Sequence, residues 1–462
     1  MSFDALMLSR LQFAFTVAFH IVYPSFTIGL ASFLAVLEGL WLATRREVFQ
    51  RLYLFWLKIF AISFGMGVVS GVVMSYEFGT NWSVFSRATA GVLGPLLGFE
   101  VLTAFFLEAS FLGVMLFGWK RVGPGLHFLA TCLVAFGTLV SAFWILSANS
   151  WMQTPSGYAI AANGRFVAAD WMKVIFSPSF PQRFAHMVLA AYLSTALMVG
   201  AASAFQLWRK PEHPESRIAL RMAIGMYAVV APLQLLVGDY AGKQLVVQQP
   251  AKLAAIEAFW ETRPAQDFHI VAWPDRARQG NDWQISVPRL GSWITTGDAN
   301  ATLRGLKSFA PQDQPPSAVV FWSFRVMVGL GLAMIGLGLW GVVLWLRRRL
   351  ERSRLFLGAT VLMGPAGFVA VIAGWVTAEV GRQPWLVNGL MRTSQGASPI
   401  SAQEASTSLI ALLAVYALIF TAGVLYILRL IAEGPDLGAA EARLVAGAPG
   451  SAMAAAPPEP EP

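Results

Sequence analysis

The segment GPLLGFEVLTAFFLEASFLGVMLFGW (94–119) decides what kind of protein this is. It exceeds the roughly 20 apolar residues that a helix needs to cross the hydrocarbon of a bilayer. It has no lysine or arginine, yet it holds two carboxylates, Glu100 and Glu108. A carboxylate inside a span is costly, and by default it marks function rather than packing. Working outward, the same ruler finds apolar runs near 11–42, 54–76, 93–118, 125–147, 184–208, 218–237, 318–346, 355–377 and 407–430, about nine in all. The fold class expected is therefore all-α, a polytopic bundle of transmembrane helices.

Composition agrees. Of 462 residues, 56% are hydrophobic and 13% charged, and the mean hydropathy is +0.59, far from a soluble domain. The net charge of +8 sits mostly in short loops between apolar runs, so it is no nucleic-acid footprint. The one cysteine, Cys132, lies inside an apolar run; any metal needs other ligands. The opening MSFDALMLSR lacks a basic leader and a small-residue cleavage site, and is read as the start of a retained first span.

Loop charge sets direction. TRREVFQRLYLFWLK, WKR, WRKPEHPESRIALR and RRRLERSR are basic, whereas the short loops between them carry few cations. The positive-inside rule then puts the N-terminus outside and the C-terminus in the cytoplasm. The expected organisation is six helices in 1–237, a polar outer-face loop in 238–317, three helices in 318–432, and a low-complexity, disordered tail in 433–462.

Ionisable groups within the spans share a level. With a rise of 1.5 Å per residue, His20 lies roughly 14 Å from the outer face, Glu100 roughly 10 Å, and Arg325 and Met327 roughly 10 to 14 Å. His186 and Glu379 fall near the outer edge. Glu108 alone is deeper, at roughly 22 Å. Each has an ordinary alternative: a histidine bonded to a neighbouring helix, a methionine that packs, Arg325 paired with a buried glutamate, Glu379 paired with Arg382. Their convergence is the argument. Histidine, methionine and carboxylate are haem-iron ligands open to a chain with no cysteine cluster, and an arginine suits anionic propionates.

FHIVYPSFTIGLA (19–31), EFGTNW (77–82), the quoted 94–119 segment, ANSWMQTPSGY (148–158), QPAKLAAIEA (249–258), FWSFRVMVG (321–329) and GWVTAEVGRQPW (374–385) resemble, in order and nearly end to end, the large haem-bearing subunit of cytochrome bd type quinol oxidases. The resemblance implies three haems: a low-spin b haem, a high-spin b haem, and a haem d or third b haem. His186 and Met327 match the axial pair of the low-spin haem, with Arg325 beside it. His20 and Glu379 match ligands of the high-spin haems, Glu100 a further carboxylate there, and Trp375 and Arg382 neighbours of the cofactors. Lys252 and Glu257 match residues that handle quinol, and Asp239, opening the loop in GDYAGK, is added to them. Five helical residues place Lys252 and Glu257 about 140° apart, poorly placed to pair with each other.

The chain looks like the short-loop type of that family, in a bacterial inner membrane. It implies a second multi-spanning subunit as partner, a small single-span subunit as a further one, quinol and O₂ as substrates, and no nucleic acid. Glu108 is the candidate relay for protons drawn from the inner side. Two other readings stay open on the residues alone: a proton-coupled carrier, and a haem quinone reductase that does not act on O₂.

Overall fold

The computed structural model describes residues 4–435. The tail expected to be disordered, from 433 on, lies outside the described residues except at its first positions.

Among the described residues, nine helices are long and apolar enough to cross a membrane: Ala5–Thr44, Glu47–Thr80, Leu93–Phe117, Pro124–Gln153, Phe180–Arg209, Pro214–Gln248, Pro311–Leu346, Arg354–Val380 and Ala402–Glu433, called here the first to ninth spans. They alternate in direction. The turns at 45–46, 118–123, 210–213 and 347–353 gather at one end of the bundle, the basic face. The connections at 81–92, 154–179, 249–310 and 381–401 gather at the other, the loop face.

The fifth span is the hub. Of its most apolar window 67% is buried, against 11% for the ninth. Small residues explain the difference: Ala196, Gly200, Ala201, Ala202, Ser203 and Ala204 are all buried, and short side chains let helix backbones approach where no water drives them together. A Cβ on Gly29 of the first span would overlap Thr195 of the fifth. The main core, with Tyr53, Trp56, Tyr227 and Phe356 fully buried, fills the space among the first, second, fifth, sixth and eighth spans.

Two departures from regular helix position side chains. The first span breaks at Ile21, between Ala5–His20 and Val22–Thr44. Pro24 causes it, because proline has no N–H for the carbonyl four residues earlier, that of His20. In the third span a π turn, Val101–Phe105, interrupts Leu93–Glu100 and Phe106–Phe117. Wider turns of this kind recur at functional sites.

The sixth span runs to Gln248, so the polar loop begins about three helical turns later than 238. Nor is the loop structureless. It carries the helix Pro250–Glu257 and a hairpin of Phe268–Asp275 with Gly280–Val287, paired from Phe268↔Val287 to Asp275↔Gly280. Trp260, Phe259, Leu303 and Leu306 form its own small core.

Candidate functional site

The loop helix Pro250–Glu257 begins with proline, whose fixed φ suits a first helical turn. It lies buried under the loop, and its two ends reach different helices. Near its start, Lys252 is 4% exposed and donates to Gln153 Oε1 at 2.5 Å and Gln249 Oε1 at 2.7 Å. Burial holds this amine well below the usual lysine range; Arg183 and Arg382 push the same way and Glu379 opposes them. Gln153 in turn donates to Glu379 Oε1 at 3.0 Å. That carboxylate also takes a bond from Asn149 at 3.0 Å and an ion pair from Arg382. Arg183 donates to Asn149. At the other end, Glu257 pairs with Arg325 at 2.8 Å, with 10% and 12% of the two side chains exposed. Arg325 also donates twice to the carbonyl of His269 in the hairpin, at 2.7 and 3.1 Å, and lies over the rings of Phe268 and Phe321.

Lys252 and Glu257 therefore make separate contacts, as their helical offset required. Both ordinary pairings foreseen for the charged residues are present: Arg325 with a buried glutamate, and Glu379 with Arg382. One donor of Arg325 remains over, since Nη1 is buried without a partner. Asp239 takes no part in the network. It sits in the extended sixth span, 41% exposed, bonded to Lys243 at 2.6 Å.

Three of the candidate iron ligands each face a glycine. An added Cβ on Gly71 would stand 3.2 Å from His20 Cε1, on Gly238 3.1 Å from His186 Cε1, and on Gly374 2.7 Å from Met327 Sδ. His20 Nδ1 lies 2.9 Å from Ser70 Oγ. That hydroxyl already donates to the Met66 and Gly67 carbonyls, so it accepts from Nδ1–H and leaves Nε2 with a lone pair. His186 has an unpartnered Nδ1, and its neighbour Gln234 an unpartnered Oε1. A free imidazole lone pair on His20, and orphaned polar atoms at His186 and Gln234, are chemistry that would suit a haem iron. Trp375 is half-buried one turn before Glu379.

The fourth span ties the acidic groups together. Ser141 donates to Glu100 at 2.8 Å. A Cβ on Gly137 would meet Glu108 Cγ at 2.7 Å, so that carboxylate lies directly on the helix; it is 7% exposed, and its Oε1 has no partner. Along this helix Glu379 at Asn149, Glu100 at Ser141 and Glu108 at Gly137 are separated by roughly 12 and 6 Å. The single outer layer expected from sequence is thus a staircase, with Glu100 nearer to Glu108 than to Glu379.

Sequence reasoning passed over the next step. Glu38 of the first span, 0% exposed, lies 2.6 Å from His127 Nδ1 and accepts from Thr131 at 2.5 Å. His127 Nε2 is 3.2 Å from the Met115 carbonyl, which only accepts, so one proton is shared between Nδ1 and the carboxylate. Glu77, buried against Thr16 at 2.5 Å, was missed as well. The same rule would have flagged both, since each is a carboxylate within or at the end of an apolar run.

Nine spans among the described residues, buried histidine, methionine and carboxylate side chains between them, and a charged loop network at one face define a polytopic membrane protein with a polar site inside the bundle. The model of the family described as cytochrome bd terminal oxidase subunit I matches residues 8–435. The chain belongs to that family. It is 36% identical to the cytochrome bd ubiquinol oxidase subunit 1 of Bacillus subtilis, over 93% of this chain and 94% of that one. It is 31% identical to the cytochrome bd-II ubiquinol oxidase subunit 1 of Escherichia coli, over 94% and 97%. The structure of bd oxidase from Geobacillus thermodenitrificans superposes with a TM-score of 0.86 at 29% identity, covering 94% of this chain and all of that one. The protein is accordingly a quinol oxidase subunit of the respiratory chain, a multi-pass membrane component of a multi-subunit haem enzyme. The carrier and the O₂-independent reductase are set aside.

Proposed function

We propose that this subunit oxidises quinol at the loop face, through Lys252 and Glu257, and delivers the electrons to haems held by its own side chains. His186 and Met327 would hold a low-spin b haem, and Arg325 would pair with its anionic propionates. His20 and Glu379 serve two high-spin haems, one b and the other d or b, with Glu100, Trp375 and Arg382 around them. The observation that carries this reading is the loop helix: Lys252 is two hydrogen bonds from Glu379, through Gln153, and Glu257 is ion-paired to Arg325, two residues before Met327.

When bound, haem supplies iron that takes up electrons and, where a position is left open, binds O₂. The chain itself moves protons. Quinol gives up two protons with its two electrons. A lysine amine held low by burial accepts one, and the Glu257 carboxylate, kept in place by Arg325, accepts the other. Protons consumed in making water arrive from the basic face along the fourth span, by the Glu38 and His127 pair, Glu108, and the Ser141 and Glu100 pair. Release at one face and uptake from the other separates charge without a pump. The loop face is the outer side of a bacterial cytoplasmic membrane. A second multi-spanning subunit and a small single-span subunit complete the assembly, while Asp239, paired with Lys243 within the sixth span, stands apart from the quinol site.

Stopped-flow oxidation of quinol by the purified complex tests the assignment. Lys252→Met and Glu257→Gln should raise KM or lower kcat for quinol about tenfold or more, a loss of roughly 1.4 kcal/mol each, with optical spectra unchanged. Undiminished quinol oxidation in both variants would remove these residues from the quinol site.

A further inference from the structure

At the basic face the turn joining the fifth and sixth spans meets the turn joining the seventh and eighth. Arg221 of the sixth span donates through Nε to Glu351 Oε1 of the second turn at 2.6 Å. Between the turns lies a cavity of about 420 Å³, bordered by Arg217, Arg221, Arg348, Arg352 and Arg354. A second cavity, of about 440 Å³, shares Arg221 and Arg348 and is walled by Trp345 and Leu346. Only two carboxylates line the first cavity, and both are taken: Glu351 by Arg221, Glu212 by Arg217. Arg348, Arg352 and Arg354 have no ion pair or side-chain hydrogen bond among the described residues. Three cationic charges therefore converge on one concavity with no anion from the chain.

We propose that this paired cavity binds the headgroup phosphates of an anionic phospholipid, one bearing two phosphates. Guanidinium groups take phosphate oxygens in bidentate pairs, and basic hollows between membrane helices on the cationic side suit such headgroups. Apolar surface argues for a lipid rather than a soluble phosphate. Leu346 is 80% exposed at the cavity wall, and Val343, Leu339 and Leu332 continue an exposed strip up the seventh span. They are spaced by three, four and seven residues, one helical face, so acyl chains follow directly from the arginines. Arg348 adopts φ 54°, a left-handed conformation uncommon outside glycine, at the turn where both cavities meet. The bound lipid ties the fifth-sixth pair of spans to the seventh-eighth pair, the helices that carry His186 and Met327 at their opposite ends.

The test uses the detergent-purified complex, stripped of lipid and returned to phosphatidylcholine vesicles, to the same vesicles containing diphosphatidylglycerol, or to phosphatidylcholine with inorganic phosphate. Retained lipid is read by mass spectrometry and stability by the thermal loss of the low-spin haem spectrum. Diphosphatidylglycerol should be retained and raise the midpoint, phosphate should not, and the Arg348→Gln/Arg352→Gln/Arg354→Gln variant should bind the lipid about 100-fold more weakly. Where that variant loses haem during preparation, Arg348→Gln alone replaces it, with a drop of about fivefold. Equal retention by variant and wild type overturns the site, and equal stabilisation by inorganic phosphate overturns the lipid.

Discussion

Lys252 and Glu379 share one amide. Gln153 accepts from the lysine at 2.5 Å and donates to the carboxylate at 3.0 Å, so a proton change at one charge is felt at the other through a single side chain. Gln153→Leu takes one hydrogen bond from each, while Gln249 still accepts from the lysine and Asn149 and Arg382 still hold the carboxylate. The expected cost is about 1–3 kcal/mol in all, read as a lower thermal midpoint, together with slower quinol oxidation. Gln153→Glu, which supplies an anion to the lysine, should bring back stability more than turnover.

The Arg325 and Glu257 pair is a second buried couple, and its singles and double should behave unequally. Removing one partner leaves a buried charge, at about 3–5 kcal/mol. Arg325→Leu and Glu257→Leu should each loosen the 258–310 loop in limited proteolysis, and the double variant should be less susceptible than either. Additive losses would show that the two side chains act independently.

Glu108→Gln should slow O₂ consumption about tenfold or more while haem content stays intact; lost haem would assign Glu108 to structure. Gly137→Ala is a subtler probe, because its Cβ would arrive 2.7 Å from Glu108 Cγ. It should slow turnover by displacing the carboxylate while leaving it chemically unchanged.

Met327→Leu should convert the low-spin iron spectrum to high-spin. Gly374→Ala, whose Cβ would crowd Met327 Sδ, should shift that spectrum without abolishing it. An unchanged spectrum in Met327→Leu would remove the methionine as ligand.

The hairpin that holds Arg325 should be acid-sensitive. His269 is 4% exposed and bonded to Ser286 at 2.7 Å, and burial, against the pull of Asp267, lowers it from 6.5 to about 4. The unfolded histidine binds a proton below 6.5 and the folded one only near 4, so stability is full above that range and falls as pH drops through it. Hydrogen exchange of residues 268–287 should accelerate between those values in the wild type and not in His269→Gln.

Much of this was legible because a bilayer punishes exceptions. An apolar run of 26 residues around Glu100 and Glu108 has few other homes, so nine spans and most of the charged candidates followed from spacing and loop charge. Depth was read less well. Counting residues from a span end assumes straight, equal helices, and it set Glu108 roughly 12 Å beyond Glu100; their contacts on the fourth span, at Gly137 and Ser141, bring that to roughly 6 Å. Glu38 was passed over although it is a carboxylate in an apolar run; its partner His127, 89 positions away, is what only the folded chain reveals.

By itself the sequence determined the number of spans, the basic and loop faces, the family, and the residue types able to hold iron or move protons, since each depends on local composition or matched motifs. The tertiary structure decided which of those residues meet. Eight helical steps of about 100° would leave Glu100 and Glu108 about 80° apart; the π turn between them takes up that offset and turns both toward the fourth span. Pairings between distant positions, such as Gln153 with Glu379, 226 apart, or Arg325 with Glu257, 68 apart, arise from helices packed side by side, and no pattern along the chain encodes which neighbours those will be.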